Sequence, residues 1–98
     1  MQDTNSIIKI ITKDFNISAE VFLRESSRTF LEHKLKEINT QIFNIASKYN
    51  ITSINDFENK YKAGKLEEIE TFDDFKKLDR LEFQKEKILK LLKKTGLW

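Results

Sequence analysis

Ninety-eight residues, 39% hydrophobic and 35% charged, with two glycines and no proline, make one domain near the lower size limit for an independent core. A formal net charge of +2, from 18 basic and 16 acidic residues, excludes a bulk electrostatic attraction to nucleic acid. The lack of cysteine excludes disulfides, thiolate metal sites and cysteine nucleophiles, and it suits a reducing cytoplasm.

No basic flank leads into an apolar core at the start of the chain, and no run approaches about 18 apolar residues. Neither a signal peptide nor a membrane span is expected, and the expected location is the cytoplasm. Asp3, Thr4, Asn5 and Ser6 are all good N-cap types ahead of Ile7, Ile8, Ile10 and Ile11. Ile7 with Ile11, and Ile8 with Ile11 and Phe15, recur at helical spacing, so a short helix is predicted over 5–14. A β-branched strand is the rival reading for the same residues.

Asn16, Ile17 and Ser18 form a break. Ser18 can accept from the first free N–H groups of the next helix, with Ile17 and Phe22 placed as a hydrophobic staple. A long helix is then predicted over 18–50. Leu31, Leu35, Ile38, Ile42, Ile45 and Tyr49 alternate by fours and threes along it, which is the a/d stripe of a coiled-coil seam. At about 1.5 Å per residue the helix is roughly 45–50 Å long, too long to hide in a compact domain of this size. The stripe must therefore meet another helix, of this chain or of a second copy. In the first turns the seam positions are Arg24 and Arg28, and the apolar surface moves to Phe22, Leu23 and Phe30. That segment is expected to pack on the short first helix.

Ser53 followed by Asp56 gives an S-x-x-D cap, and Ile54, Phe57 and Tyr61 share one face of a short helix predicted over 53–63. Gly64 suits the left-handed position just past its end. Lys65 to Glu70, with Leu66, reads as a linker. Thr71 and Asp74 repeat the cap pattern ahead of a C-terminal helix over 71–95, whose seam is Leu78, Leu81, Ile88 and Leu92 with Lys85 as a polar interruption. Gly96 closes it, and Leu97 is placed to fold back in a Schellman-type end. The expected architecture is all-α: one domain over 1–98, with two long helices in an antiparallel coiled-coil-like hairpin and two short ones. Two helices cover little of each other, so a dimeric bundle with a four-helix core is expected.

The candidates for chemistry are few. His33 is the only histidine and lies off the seam, with Glu37 one turn away, which is too little for a zinc site. Glu67, Glu68, Glu70, Asp73 and Asp74 gather around a helix start, and Lys85, Lys87, Lys90, Lys93 and Lys94 gather towards its end. Both groups complement the helix dipole. Arg24 and Arg28, one turn apart, form a possible partner or phosphate edge, or lie with their stems over the first helix. Phe43, Phe83 and Trp98 fall outside the stripes, where aromatic residues mark interfaces or fill a wider bundle. There is no phosphate loop, nucleophile elbow, H-x-x-x-H or EF-hand pattern. The expectation is a protein without enzymatic activity, cofactor or metal.

One resemblance extends this reading. Phe22-Leu23-Arg24-Glu25-Ser26, Phe30-Leu31-Glu32, Lys48-Tyr49-Asn50-Ile51, the stretch Asp56 to Lys65, Asp73-Asp74-Phe75 and Leu78-Asp79-Arg80-Leu81-Glu82 together are similar to small antitoxin-like helical proteins of archaeal toxin–antitoxin loci. The likeness covers roughly residues 15–92 and is one of texture and order. Asn50 stands where glycine is expected. The resemblance implies a helical protein that holds a partner, often a ribonuclease-type toxin, in an inactive complex. Antitoxins of that sort add an N-terminal DNA-binding module such as a ribbon-helix-helix, and the residues before Ser18 are too few and too helical for it. The expected function is thus an antitoxin-like, dimerising protein–protein interaction module. The alternatives are a DNA-binding regulator with Arg24, Arg28, Lys34 and Lys36 as its phosphate edge, and a structural helical adaptor.

Overall fold

Three helices start at a side-chain cap, and left-handed residues with backbone hydrogen bonds close the helix ends. The computed structural model describes residues 3–64 and 68–97, with 68–70 as helical backbone alone. Four helices run α1 Thr4–Phe15, α2 Ala19–Tyr49, α3 Ile54–Lys62 and α4 Glu68–Thr95, and there is no strand among the described residues. The β alternative for the isoleucine-rich start is therefore excluded. Asp3 accepts from the Ser6 N–H at 2.7 Å, Ser18 from Val21 at 3.1 Å and Ser53 from Asp56 at 3.1 Å. The Asp56 carboxylate returns to the Thr52 N–H at 3.1 Å, one residue before the cap itself.

The exits share one conformation. Asn16, Asn50, Gly64 and Gly96 all have φ between 52° and 71°. Asparagine at two of these positions works because its short polar side chain tolerates the left-handed region. The residue after each of three exits donates back five positions: Ile17 to Thr12 O, Ile51 to Ala46 O and Leu97 to Leu92 O, each at 3.0 Å. This is the Schellman arrangement, and its apolar follower is buried in two cases, Ile51 and Leu97.

The N-terminus of α4 departs from expectation. The helix begins at Glu68, so Thr71 and Asp74 sit inside it and do not cap it. Glu68 to Glu70 are adequate helix formers that carry the helix back past Thr71. Thr71 is only 1% exposed, and the Asp74 carboxylate turns to α2. Of the expected linker, residues 65–67 lie outside the described residues, as does Trp98 and as do the side chains of Glu68 and Glu70.

The two long helices form an antiparallel hairpin. Arg28 near the start of α2 donates to Leu97 O beyond the end of α4, while Lys48 at the end of α2 donates to Asp74 near the start of α4. The α2 seam and the α4 seam close on each other within one chain. Ile38, Ile45, Leu78, Leu81, Ile88 and Leu92 are buried, with Leu31, Leu35, Ile42 and Tyr49 half-buried against them. α3 packs on α4 and inserts Phe57, which has no exposed surface. α1 packs on the start of α2. The molecule measures 60 × 30 × 17 Å with a radius of gyration of 19.4 Å, against about 13 Å for a compact domain of this length.

Candidate interaction surface

Exposed apolar surface is the raw material for a site here, because among the described residues the tight group of titratable side chains, Lys48, Tyr49 and Asp74, is spent on joining α2 to α4. His33 Nε2 lies 3.1 Å from Glu37 Oε1 on the surface of α2, and the described residues contain no group of three metal-ligating side chains. Asp73 and Asp74 diverge: Asp73 is exposed, and Asp74 is committed to α2. The strongest electrostatic arrangement is structural. Asp74 Oδ2 accepts from Lys48 Nζ at 2.9 Å and from the Tyr49 hydroxyl. The Tyr49 hydroxyl, then the Lys48 ammonium, hold the Asp74 carboxyl below its ordinary pKa. Partial burial and the Asp74 charge push the Tyr49 phenol up. The same hydrogen bond to Asp74 raises Lys48. Behind this triad the Phe57 ring sits between Tyr49, at 4.8 Å in an edge-on geometry, and Phe75, at 5.5 Å. Lys60 Nζ donates to Asn50 O at 2.7 Å and ties α3 to the end of α2.

All ten residues of the predicted interaction seam therefore line the inside of the hairpin, where α2 and α4 already occupy one another. Of the predicted arginine edge, Arg24 is exposed. Arg28 is half-buried, with its Nε donating to Leu97 O at 3.1 Å and Nη1 3.6 Å from Glu25 Oε1. Arg28 thus holds the two ends of the hairpin together, and the pair does not face outward as a unit.

The outward apolar surface falls into two groups. The first is the N-terminal pair of helices. Every residue of α1 is exposed or half-buried. Ile8, Ile11 and Thr12 turn towards α2, while Ile7 and Ile10 stay largely open and Phe15 is 74% exposed. Just beyond the break, Leu23 is 51% and Phe30 60% exposed. These two lie seven residues apart, hence on one face of α2, with Ser27 between them. The second group lines the hairpin flanks: Phe43 on α2, and Phe72 and Phe83 on α4, each more open than closed or nearly so. Lys76 Nζ lies 4.4 Å from the Phe72 ring centre. A shallow groove of about 390 Å³ runs beside Phe83 between Lys87, Lys90, Leu91 and Lys94. Periodicity identified Phe43 and Phe83 as lying off the seams. It did not identify the exposure of Ile7, Ile10 and Leu23, which have the same spacing as core residues.

No helix among the described residues is long and apolar enough to cross a membrane. No curated protein and no solved structure matches the chain. A family model matches it over residues 1–98, and the chain belongs to the Uncharacterized protein MJ0235 family.

Proposed function

We propose that this chain is a non-enzymatic protein–protein interaction module acting in the cytoplasm, a rigid helical hairpin that holds a partner protein on its flanks. What supports the reading is the exposure of Phe43, Phe72 and Phe83 outside a core that is already complete without them. Aromatic anchors set among charged side chains supply affinity through burial and register through charge. The antitoxin resemblance supplies the partner's class, a ribonuclease-type toxin encoded nearby. The test is to express the tagged full-length protein with both adjacent genes and weigh what elutes. A stoichiometric small neighbour, lost on Phe43→Ala with Phe83→Ala, is the expected result. Elution without either neighbour overturns the toxin reading.

A second reading, nucleic-acid binding, is favoured by one observation. Residues 83–97 carry five lysines against the single Glu86, around an exposed phenylalanine. Binding of that kind falls steeply with salt, whereas a toxin held by apolar anchors stays bound.

A further inference from the structure

Surface area frames the inference. A folded monomer of 11.7 kDa is expected to expose about 5,900 Å², and this chain exposes 7851 Å², a surplus of about 2,000 Å². The surplus follows from the elongated shape, and the N-terminal pair is the thinnest part of it. α4 ends where Arg28 meets Leu97, so the turns of α2 before Arg28 have α1 as their packing neighbour. A helix of 12 residues is marginal in water on its own and depends on packing for its stability. Here the packing leaves Ile7, Ile10 and Phe15 on one side and Leu23 and Phe30 on the other in contact with solvent.

We propose that a second copy of this chain covers that surface. Two protomers related by a twofold axis place α1 and the first turns of α2 of each against those of the other, making a four-helix layer from two two-helix ones. Two observations favour a second copy over an unlike partner. Two chains together carry about 4,000 Å² more surface than two compact monomers, so covering half of that excess reaches the roughly 2,000 Å² at which obligate homodimer interfaces begin. Residues 3–30 also carry four acidic and four basic side chains, so the patch meets its own image without net repulsion. Lys87, Lys90 and Lys94 lie on the side of α4 opposite its buried Leu92 and stay clear of the contact. The stripe Leu23, Ser27, Phe30 repeats the four-then-three spacing of a helix seam, and serine at its centre lets a second helix approach closely.

The inference rests on reading the chain as an interaction module and names its first partner as the chain itself. The full-length protein is weighed by light scattering at micromolar concentration, as wild type and as Ile10→Asp with Leu23→Asp. Both positions are exposed in the protomer, so the change does not disturb the seam. Wild type at twice 11.7 kDa is expected, with the variant's dimer dissociation constant raised at least about thirtyfold and its helicity retained. Because the chain has no cysteine, Leu23→Cys and Phe83→Cys report proximity directly. Oxidation is expected to link Leu23→Cys into a covalent dimer and to leave Phe83→Cys monomeric. A wild-type mass of 11.7 kDa, a dimer unchanged by the double substitution, or linkage at position 83 in place of 23 each overturns the inference. A monomer that still retains a neighbouring gene product refutes the dimer and leaves the module reading intact. A dimer that retains none supports the inference and overturns the toxin reading.

Discussion

A single ring carries much of the end of the hairpin where α3 docks. Phe57 is wholly enclosed between Tyr49 and Phe75, and its neighbours come from α2 and α4. Truncation to Phe57→Ala is expected to cost about 3–5 kcal/mol, read as a lower urea midpoint, because the cavity it leaves is walled by three helices and cannot collapse. The Tyr49–Asp74 hydrogen bond sits beside it. Tyr49→Phe removes one donor to a carboxylate and is expected to cost about 1–2 kcal/mol in the same measurement. The pH dependence has a definite sign. The folded pKa of Asp74 lies below its unfolded value, so its contribution is complete above about pH 4 and declines as pH falls through the folded value. Acid titration of stability in wild type and Asp74→Asn should therefore diverge above pH 4 and converge at the acid end. Equal separation of the two curves down to the lowest pH would show that Asp74 does not titrate in this way.

The helices owe their limits to local chemistry and their existence to packing. Gly96 illustrates the first. Its φ of 71° is the left-handed exit of α4, and a Cβ added there would meet nothing within 4 Å. Gly96→Ala is thus expected to cost about 1 kcal/mol through backbone strain alone, with no steric term, as read by thermal melting. The caps Ser18, Ser53 and Gly96 were legible from residue type and spacing because a cap is a local hydrogen bond between near neighbours. Thr71 with Asp74 had the same pattern and a different outcome. Its carboxylate finds better partners in Lys48 and Tyr49, 26 and 25 residues away, and no local rule contains them. α1 illustrates the second point. With no fully buried side chain in the chain itself, its amides are expected to exchange with deuterium fastest among the four helices, and to slow when the N-terminal pair is covered.

At the scale of the molecule, the seam closes on itself. Ile42 lies half-buried between α2 and α4, and Ile42→Asp puts an unpaired charge into the only thickness the hairpin has there. Unfolding is expected, seen as loss of helicity; a variant with unchanged helicity and melting point would refute the placement of that stripe. The substitution pair at Ile10 and Leu23 should behave in the opposite way, keeping the fold and losing the mass of the dimer. The contrast separates apolar residues that hold the protomer together from those that remain to hold something else.

The spacing of Leu31 to Tyr49 and of Leu78 to Leu92 determined by itself that this protein has two long helices, because a helix turns side chains onto one face at intervals that the chain order alone specifies. Its caps and exits determined where those helices stop, to within a few residues. Tertiary structure alone decided that the two stripes pair within one chain, that Arg28 bonds the far end of α4, and that Leu23 and Phe30 stay outside while Ile38 and Ile45 go in. Each of these outcomes is decided by which helix lies across from the residue concerned. Periodicity says that a face is apolar and is silent on whether anything covers it.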